Sequence, residues 1–391
     1  MEKFRKLVTG LFVAFGALAP MSAFAEEVVK IGLPMPLTGV LGAVGKQAVA
    51  GAQLYVALHG DAVAGRKIQL IVRDDGSAPD LSKRIAQDMI VNDKVALIGG
   101  GLTPNVLAID ALVTEAKIAT VVMVSGTSIV TERSPYFVRT SWTHGQQSIV
   151  LAKWAAEHGA KRVTIVYSDW APGAEAAGVF TKFFTEAGGS IIETIKVPLA
   201  NPDFAPFLQR ARDTHPDTLY VFVPAGQAAV FARQFAERGL DKSGVTLIGP
   251  GDITDDNDLP GMSDAMLGTI TAGFYSADHP SAMNKDYVAA FKKANPNMRP
   301  NFMSVSGYDG MHLIYEALKK TGGKTDGDSL VSAMKGMAWE SPRGPISIDP
   351  ETRDIVQNIY IRKVVKKAGE LYNVEMNTFE AVKDPGHKVT N

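Results

Sequence analysis

The sequence predicts an α/β protein of two lobes with parallel-sheet cores, joined by a hinge that the chain crosses several times. Three observations predict it. Short runs that are apolar throughout alternate with segments of helical spacing, the pattern of parallel strands buried on both faces beneath helices. The alternation restarts near residue 144, which makes two such units. Beyond residue 275, helices arrive without partner strands and must pack on a sheet already formed, so the chain returns to the first lobe and then crosses again.

In the first unit, 28–34 is an apolar run closed by Gly and Pro and reads as a buried strand, and 46–58 has the small and apolar spacing of a helix. A second strand over 67–72 stops at Asp74-Asp75-Gly76, and an amphipathic helix covers 81–91. The third strand, 95–98, runs into Gly99-Gly100-Gly101; a helix over 104–116 leads to the fourth strand, 119–124. The second unit repeats the rhythm, with helices at 144–158, 175–187, 204–212 and 227–238 and strands at 162–167, 191–197, 218–223 and 245–248. A strand over 268–275 then precedes helices at 282–294, 304–319 and 329–337 and strands at 345–348 and 355–365. The last of these alternates, with Gln357, Tyr360 and Arg362 expected on a polar outer face. The expected division is 26–142 with 272–342 in the first lobe and 143–271 with 343–391 in the second. Several crossings between two lobes permit closure around a ligand.

The first 25 residues read as a secretory signal. Lys3, Arg5 and Lys6 are followed by an uncharged apolar stretch over 7–19 and by Ala23-Phe24-Ala25, a small-x-small cleavage pattern. The stretch is short for a membrane span, and the acidic pair Glu26-Glu27 follows it. No Cys is available for a lipid anchor. The expectation is therefore export, cleavage near Ala25 and a soluble mature protein in the periplasm. Removing three basic residues and one acidic residue with the signal takes the formal charge from -1 to about -3. So mild and mixed a charge argues against nucleic acid or an anionic membrane as partner. The absence of cysteine excludes thiol catalysis, zinc-thiolate sites and iron-sulfur clusters.

Rival chemistries find little support. Gly39, Gly42 and Gly45 follow a strand, but G-x-x-G-x-x-G is not the dinucleotide fingerprint, and a phosphate cradle is the lesser reading. No P-loop, nucleophile elbow or H-E-x-x-H occurs. The seven histidines are scattered, and only His144, beside the first crossing, is placed to face a cleft. Asp255-Asp256-Asn257-Asp258 lacks the Gly and Glu of a calcium loop and reads as a solvated loop. Arg343 and Arg353 read as exposed or locally paired. An exported α/β enzyme would need a nucleophile-base pair or a metal cluster, and neither shows. A sensor or cytosolic regulator would carry a membrane helix or lack the signal. No cofactor or metal is expected.

Several segments, in order and spacing, carry a resemblance. They are Ile31-Gly32-Leu33-Pro34-Met35-Pro36-Leu37-Thr38-Gly39, Val72-Arg73-Asp74-Asp75-Gly76, Ile98-Gly99-Gly100-Gly101-Leu102-Thr103, Ser125-Gly126-Thr127, Phe137-Val138-Arg139-Thr140, Tyr308-Asp309 and the Pro- and Gly-rich stretch 341–350. Together they resemble the periplasmic branched-chain amino-acid-binding proteins, the leucine/isoleucine/valine-binding-like type I fold with two Rossmann-like lobes that feeds ABC importers. The resemblance implies a ligand carboxylate held on the first lobe by Thr103, with the carbonyl of Ser125 and the hydroxyl and amide of Thr127 binding the ligand's amino or carboxylate group. Thr103-Pro104 also reads as an N-cap with proline at the first helical position, leaving the amides of Asn105 and Val106 for an anion. On the second lobe the resemblance implies that Trp170 covers the ligand and that an acid meets its ammonium. In register that acid becomes Gly251, with Asp252 one residue later. The tyrosine expected in 224–226 is absent, Val44 replaces an aromatic, and the family's cysteine pair is missing. If Asp252 reaches the ammonium, the ligand is a branched-chain or other hydrophobic amino acid. If it does not, an aromatic or aliphatic carboxylate fits better, because an unpaired buried charge costs several kcal/mol. Closure around this small molecule would present both lobes to an inner-membrane ABC permease.

Overall fold

The computed structural model describes residues 28–386, and the expected signal over 1–25 lies outside them. The first lobe is built on β1 (Val28–Met35), α1 (Gly42–His59), β2 (Ala62–Val63), β3 (Arg66–Asp74), α2 (Pro79–Asp88), β4 (Leu97–Gly100), α3 (Thr103–Ala108), α4 (Asp110–Glu115), β5 (Ala119–Val122) and β6 (Phe137–Arg139). Its six strands lie in the order β2-β3-β1-β4-β5-β6, parallel except for the β2–β3 hairpin. Ile31, Leu33, Leu97 and Val121 have no accessible surface, which is why these strands read as continuous apolar runs.

The second lobe contains α5 (His144–Glu157), β7 (Arg162–Ser168), α6 (Ala171–Glu186), β8 (Ser190–Val197), α7 (Ala205–Asp213), β9 (Thr218–Phe222), α8 (Ala228–Glu237), β10 (Thr246–Pro250) and β11 (Ile270–Gly273). The chain then adds α9 (Ala282–Ala294), α10 (Phe302–Lys320) and α11 (Gly327–Met334) to the first lobe. It finishes in the second sheet with β12 (Ala338–Ser341), β13 (Gly344–Ile348), β14 (Ile355–Lys367) and β15 (Glu370–Val382). That nine-stranded sheet is mixed, because β14 runs antiparallel to β11, β13 and β15. Gln357 pairs with both β13 and β15, and residues 360–363 pair with both β11 and β15, so β15 occupies one edge of β14 while β13 and β11 share the other.

Two expectations are corrected here. The polar side chains of β14 are not on a wet outer face: Gln357, Tyr360 and Arg362 are buried, and Arg362 donates to Thr271 Oγ1 and to the Tyr275 carbonyl. Nor is 255–258 a solvated loop. Asp255 and Asp256 are buried, with Asn301 Nδ2 donating to Asp255 at 2.8 Å and Asn373 Nδ2 to Asp256 at 3.2 Å. Partners more than forty residues away in the chain hold these acids in place of water.

Backbone-to-backbone packing joins α1 to the returning α10. A Cβ on Gly51 would lie 1.8 Å from the Ser304 carbonyl oxygen, and one on Gly307 would lie 2.1 Å from that of Ala48. Gly51→Ala is therefore expected to lower stability by roughly 1–3 kcal/mol, since no side-chain motion relieves the clash. Gly178→Ala, at an exposed position of α6 with nothing within 4 Å, is expected to raise it by about 0.5–1 kcal/mol. Denaturant midpoints of the two variants should move in opposite directions. The glycines after β1 serve the same close packing and not a phosphate: Cβ atoms on Gly42 and Gly45 would meet the carbonyls of Leu37 and Pro36 at 2.9 and 2.1 Å.

Buried cations pin the crossings between lobes. Arg343, expected to be exposed or locally paired, is instead buried with distant partners. It pairs with Asp309 of α10 at 2.8 Å, donates to the Thr140 carbonyl at 2.6 Å and to Gln357 at 2.9 Å, and stacks over Phe274. One side chain thus ties the first crossing to the returning helix and to the final strands.

Candidate functional site

A cleft of about 340 Å³ opens where the C-terminal ends of the strands of both lobes face each other, the place where open α/β sheets put ligands. Val44, Leu102, Thr103 and Gly126 form its first-lobe wall. Trp170, Pro172, Pro224, Ala225 and Asp252 form the second-lobe wall, and Trp142 and His144 lie at the crossing between them. The two walls are close: the methyl of Ala43 is 3.6 Å from where a Cβ on Gly226 would sit, and Ser128 of the first lobe hydrogen-bonds Glu175 of the second.

The structure brings Thr103, Thr127, Trp170 and Asp252 to or beside this cleft, by a different local geometry from the one expected. Thr103 is not the N-cap. Leu102 takes that position, Thr103 is the first residue of α3, and the Val106 amide is spent on the Leu102 carbonyl. The Thr103 hydroxyl instead lies 3.1 Å from the Thr127 hydroxyl. One donates to the other, which leaves a single hydroxyl proton for a further acceptor. This wall therefore offers the hydroxyl pair from two loops beside the first turn of α3, whose leading amides have no partner within the helix.

Ser125 stands apart. Its carbonyl accepts from Arg139 Nη1 at 2.7 Å and from Ser141 Oγ at 2.6 Å, and its hydroxyl donates to the Gly101 carbonyl. Both carbonyl lone pairs are engaged within the protein, so this residue shapes the loop and its carbonyl does not face a ligand. The organiser is Arg139, at the end of β6. From a fully buried position it donates to the carbonyls of Ser125, Trp142 and Thr127 and pairs with Asp354 on the segment before β14. Its fork holds the 125–127 and 142–144 loops at one spacing.

Sequence reasoning missed Trp142. Its ring lies between Phe274, stacked at 5.5 Å, and Phe302, edge-on at 5.0 Å. Among the described residues the indole N–H groups of Trp142 and Trp170 have no hydrogen-bond partner, and neither does Nδ1 of His144. Burial, with the charge of Arg139 nearby, pulls the His144 imidazole down to about 3, so it is neutral at physiological pH. Asp252 is 3% exposed, and its Oδ2 has no partner among the described residues. Burial pushes its carboxyl up to about 7, against a hydrogen bond from its own backbone and the charge of Arg362. The cleft thus offers indole and hydroxyl donors, the neutral imidazole of His144, one unspent carboxylate oxygen and otherwise apolar walls. Among the described residues no group of His, Asp or Glu is arranged to hold a metal ion, and no helix is long and apolar enough to cross a membrane.

Two α/β lobes hinged at several crossings over one small cleft define a two-lobed solute-binding protein. The periplasmic binding protein family model matches residues 28–370, and the chain belongs to that family. It acts as the solute-binding protein of an ABC transporter. It is 41% identical over 381 residues to a Leu/Ile/Val-binding protein homolog 6 of Brucella melitensis, covering 96% of this chain and 97% of the relative. Among solved structures it is similar to a solute-binding protein of an ABC transporter from Rhodopseudomonas palustris BisB5 in complex with 3,4-dihydroxybenzoic acid. That match has 62% identity and a TM-score of 0.91, covering 92% of this chain and 99% of the other. A second such protein, from Rhodopseudomonas palustris HaA2 in complex with p-hydroxybenzoic acid, is 40% identical with a TM-score of 0.88 over the same shares.

Proposed function

We propose that this protein is exported to the periplasm, binds an aromatic carboxylate of the benzoate class in the cleft between its lobes, and delivers it to an inner-membrane ABC permease. The observation that carries this reading is the composition of the cleft. Two indoles and apolar side chains surround a hydroxyl pair on one wall, and the other wall carries a single carboxylate whose neighbours Pro172, Pro224 and Ala225 add no side-chain acceptor. A planar acid needs one anion contact and apolar faces. An α-amino acid needs, in addition, acceptors for three ammonium protons, and unmet donors in a buried site cost about 1–3 kcal/mol each. The benzoate derivatives bound by the two Rhodopseudomonas proteins support the same choice.

In this reading the carboxylate accepts the one hydroxyl proton that the Thr103–Thr127 pair leaves free, Trp170 covers the ring, and Asp252 closes the far end. Ser125 acts only through the loop it fixes. The lobes close about the three crossings, with the divisions near 142, 272 and 342, and closure follows from ligand contacts made to both lobes at once. A second reading, a branched-chain amino acid with its ammonium on Asp252, is favoured by the name of the Brucella relative and by the unspent Oδ2.

Thermal unfolding of protein stripped of ligand by unfolding and refolding separates the two. Benzoate and its hydroxy derivatives are expected to raise the midpoint by several degrees, since a ligand at 1,000 times its Kd adds about 4 kcal/mol. Leucine, isoleucine and valine should leave it unchanged. A shift with the amino acids alone would reverse the assignment.

A further inference from the structure

We propose that Asp252 is the specificity-determining residue of the cleft, accepting the proton of a ring hydroxyl placed opposite the ligand's carboxylate, so that the protein prefers 4-hydroxylated benzoates to benzoate itself. The proposal rests on the benzoate-class reading above and adds the feature that selects within that class. Three observations carry it. Asp252 lines the second-lobe wall while the hydroxyl pair of Thr103 and Thr127 belongs to the first, so a rigid ring held between them presents its carboxylate to one lobe and its far edge to the other. Oδ2 of Asp252 is buried without a hydrogen-bond partner among the described residues, and, unlike Asp256 and Asp384, this acid lines the cleft, where a ligand group can reach it. The cation nearest by charge, Arg362, has its own partners in Thr271, the Tyr275 carbonyl and Asp256, so it holds the acid's field without filling its lone pairs.

The donor count fits a phenol. A phenolic hydroxyl brings one proton to one unspent oxygen and no charge. The carboxyl also suits this partner in either protonation state: ionised, it accepts from the phenol; protonated, it donates to the phenolic oxygen. A hydroxyl ortho to the carboxylate lies at the first-lobe end and cannot reach Asp252. Retaining a buried acid that lacks a partner costs stability, which is the usual mark of a group kept for binding.

Isothermal titration of the mature protein at pH 7.5 tests this with benzoate, 2-hydroxybenzoate, 4-hydroxybenzoate, 4-fluorobenzoate and leucine. The expected order places 4-hydroxybenzoate at least tenfold tighter than benzoate. The 2-hydroxy and 4-fluoro acids should fall with benzoate, since one has its hydroxyl at the wrong end and the other fills the far edge without a proton. In Asp252→Ala the ratio of the 4-hydroxybenzoate and benzoate affinities should collapse to about one, while Asp252→Asn, whose amide oxygen still accepts, should keep most of it. An unchanged ratio in Asp252→Ala would overturn the proposal. So would a wild-type protein that binds the 4-fluoro and 4-hydroxy acids alike, a result that needs no variant to fold. Binding of leucine with none of the aromatic acids would instead remove the benzoate-class reading on which the proposal stands.

Discussion

Arg139→Met is expected to lower stability by roughly 3–5 kcal/mol and to abolish ligand binding, because it breaks a buried ion pair from one side. Asp354 would keep the Thr131 hydroxyl at 2.9 Å but would lose the cation that neutralises it. The carbonyls of Thr127 and Trp142 would lose this donor in the same step, as part of the same cost, while that of Ser125 would keep the Ser141 hydroxyl. Arg139→Lys does not rescue the arrangement, since a single ammonium cannot reproduce a planar fork that reaches four acceptors. The double variant Arg139→Met with Asp354→Leu should recover part of the stability, having removed both charges, yet bind no better than the single variant, because the 125–127 and 142–144 loops remain unpinned. Denaturant midpoints and ligand-induced thermal shifts measured together separate the two effects. A loss of less than about 1 kcal/mol in the single variant would mean that the ion pair is incidental to the fold.

Much of this architecture could be read from the chain, and the failures share one cause. Strands that a parallel sheet buries on both faces announce themselves by composition, so 28–34, 119–124 and 218–223 needed no partner to be recognised. The strand over Glu370–Val382 did not, because ELYNVEMNTFEAV interleaves polar with apolar residues and is held by ladder bonds to β14 while most of its side chains stay exposed or half-buried. Likewise, nothing local to Asp255, Asp256, Arg343 or Arg362 signals that they are buried. Their partners arrive from α10, β11 and β15, a hundred or so residues away in several cases. At the site, the family spacing brought out Thr103, Thr127, Trp170 and Asp252, and the Thr-Pro pair suggested the wrong cap by one residue. Trp142 follows the first crossing directly and precedes His144, which had been singled out for that position. An aromatic two residues before a cleft-facing side chain was the one available sign of it.

Affinity for the ligand is expected to rise as the pH falls from 8 to 5, and Glu175→Gln is expected to remove most of that dependence. Glu175 on α6 accepts from the Ser128 amide at 3.0 Å and from its hydroxyl at 2.9 Å, across the seam between the lobes. The same hydroxyl lies 2.9 Å from Asp384, so two carboxylates share one hydroxyl proton. Burial pushes the Glu175 carboxyl up to about 7, and the charge of Asp384 adds to the rise, against the Ser128 donors and the charge of Arg139. Asp384 itself is held by the Thr143 hydroxyl and the Gly386 amide, both at 3.1 Å. When the lobes part, Glu175 regains water and its ordinary value of 4.5. The sign follows directly. A carboxyl whose value is higher in the closed form takes up a proton on closure. Above pH 7 both forms are ionised and closure bears the full cost, about 3 kcal/mol for such a difference; the cost shrinks as the pH falls through 7 and is gone below 4.5. Between pH 8 and 5 this amounts to up to roughly a hundredfold in affinity. Asp252 also titrates near 7, so the variant and not the slope alone isolates the clasp. Glu175→Gln keeps an oxygen for the Ser128 amide and carries no charge. It should bind 4-hydroxybenzoate far more tightly than wild type at pH 8, with the difference narrowing to about fourfold at pH 5. Two titration profiles that run parallel over that range would show that Glu175 stays in the same surroundings whether the cleft is open or shut.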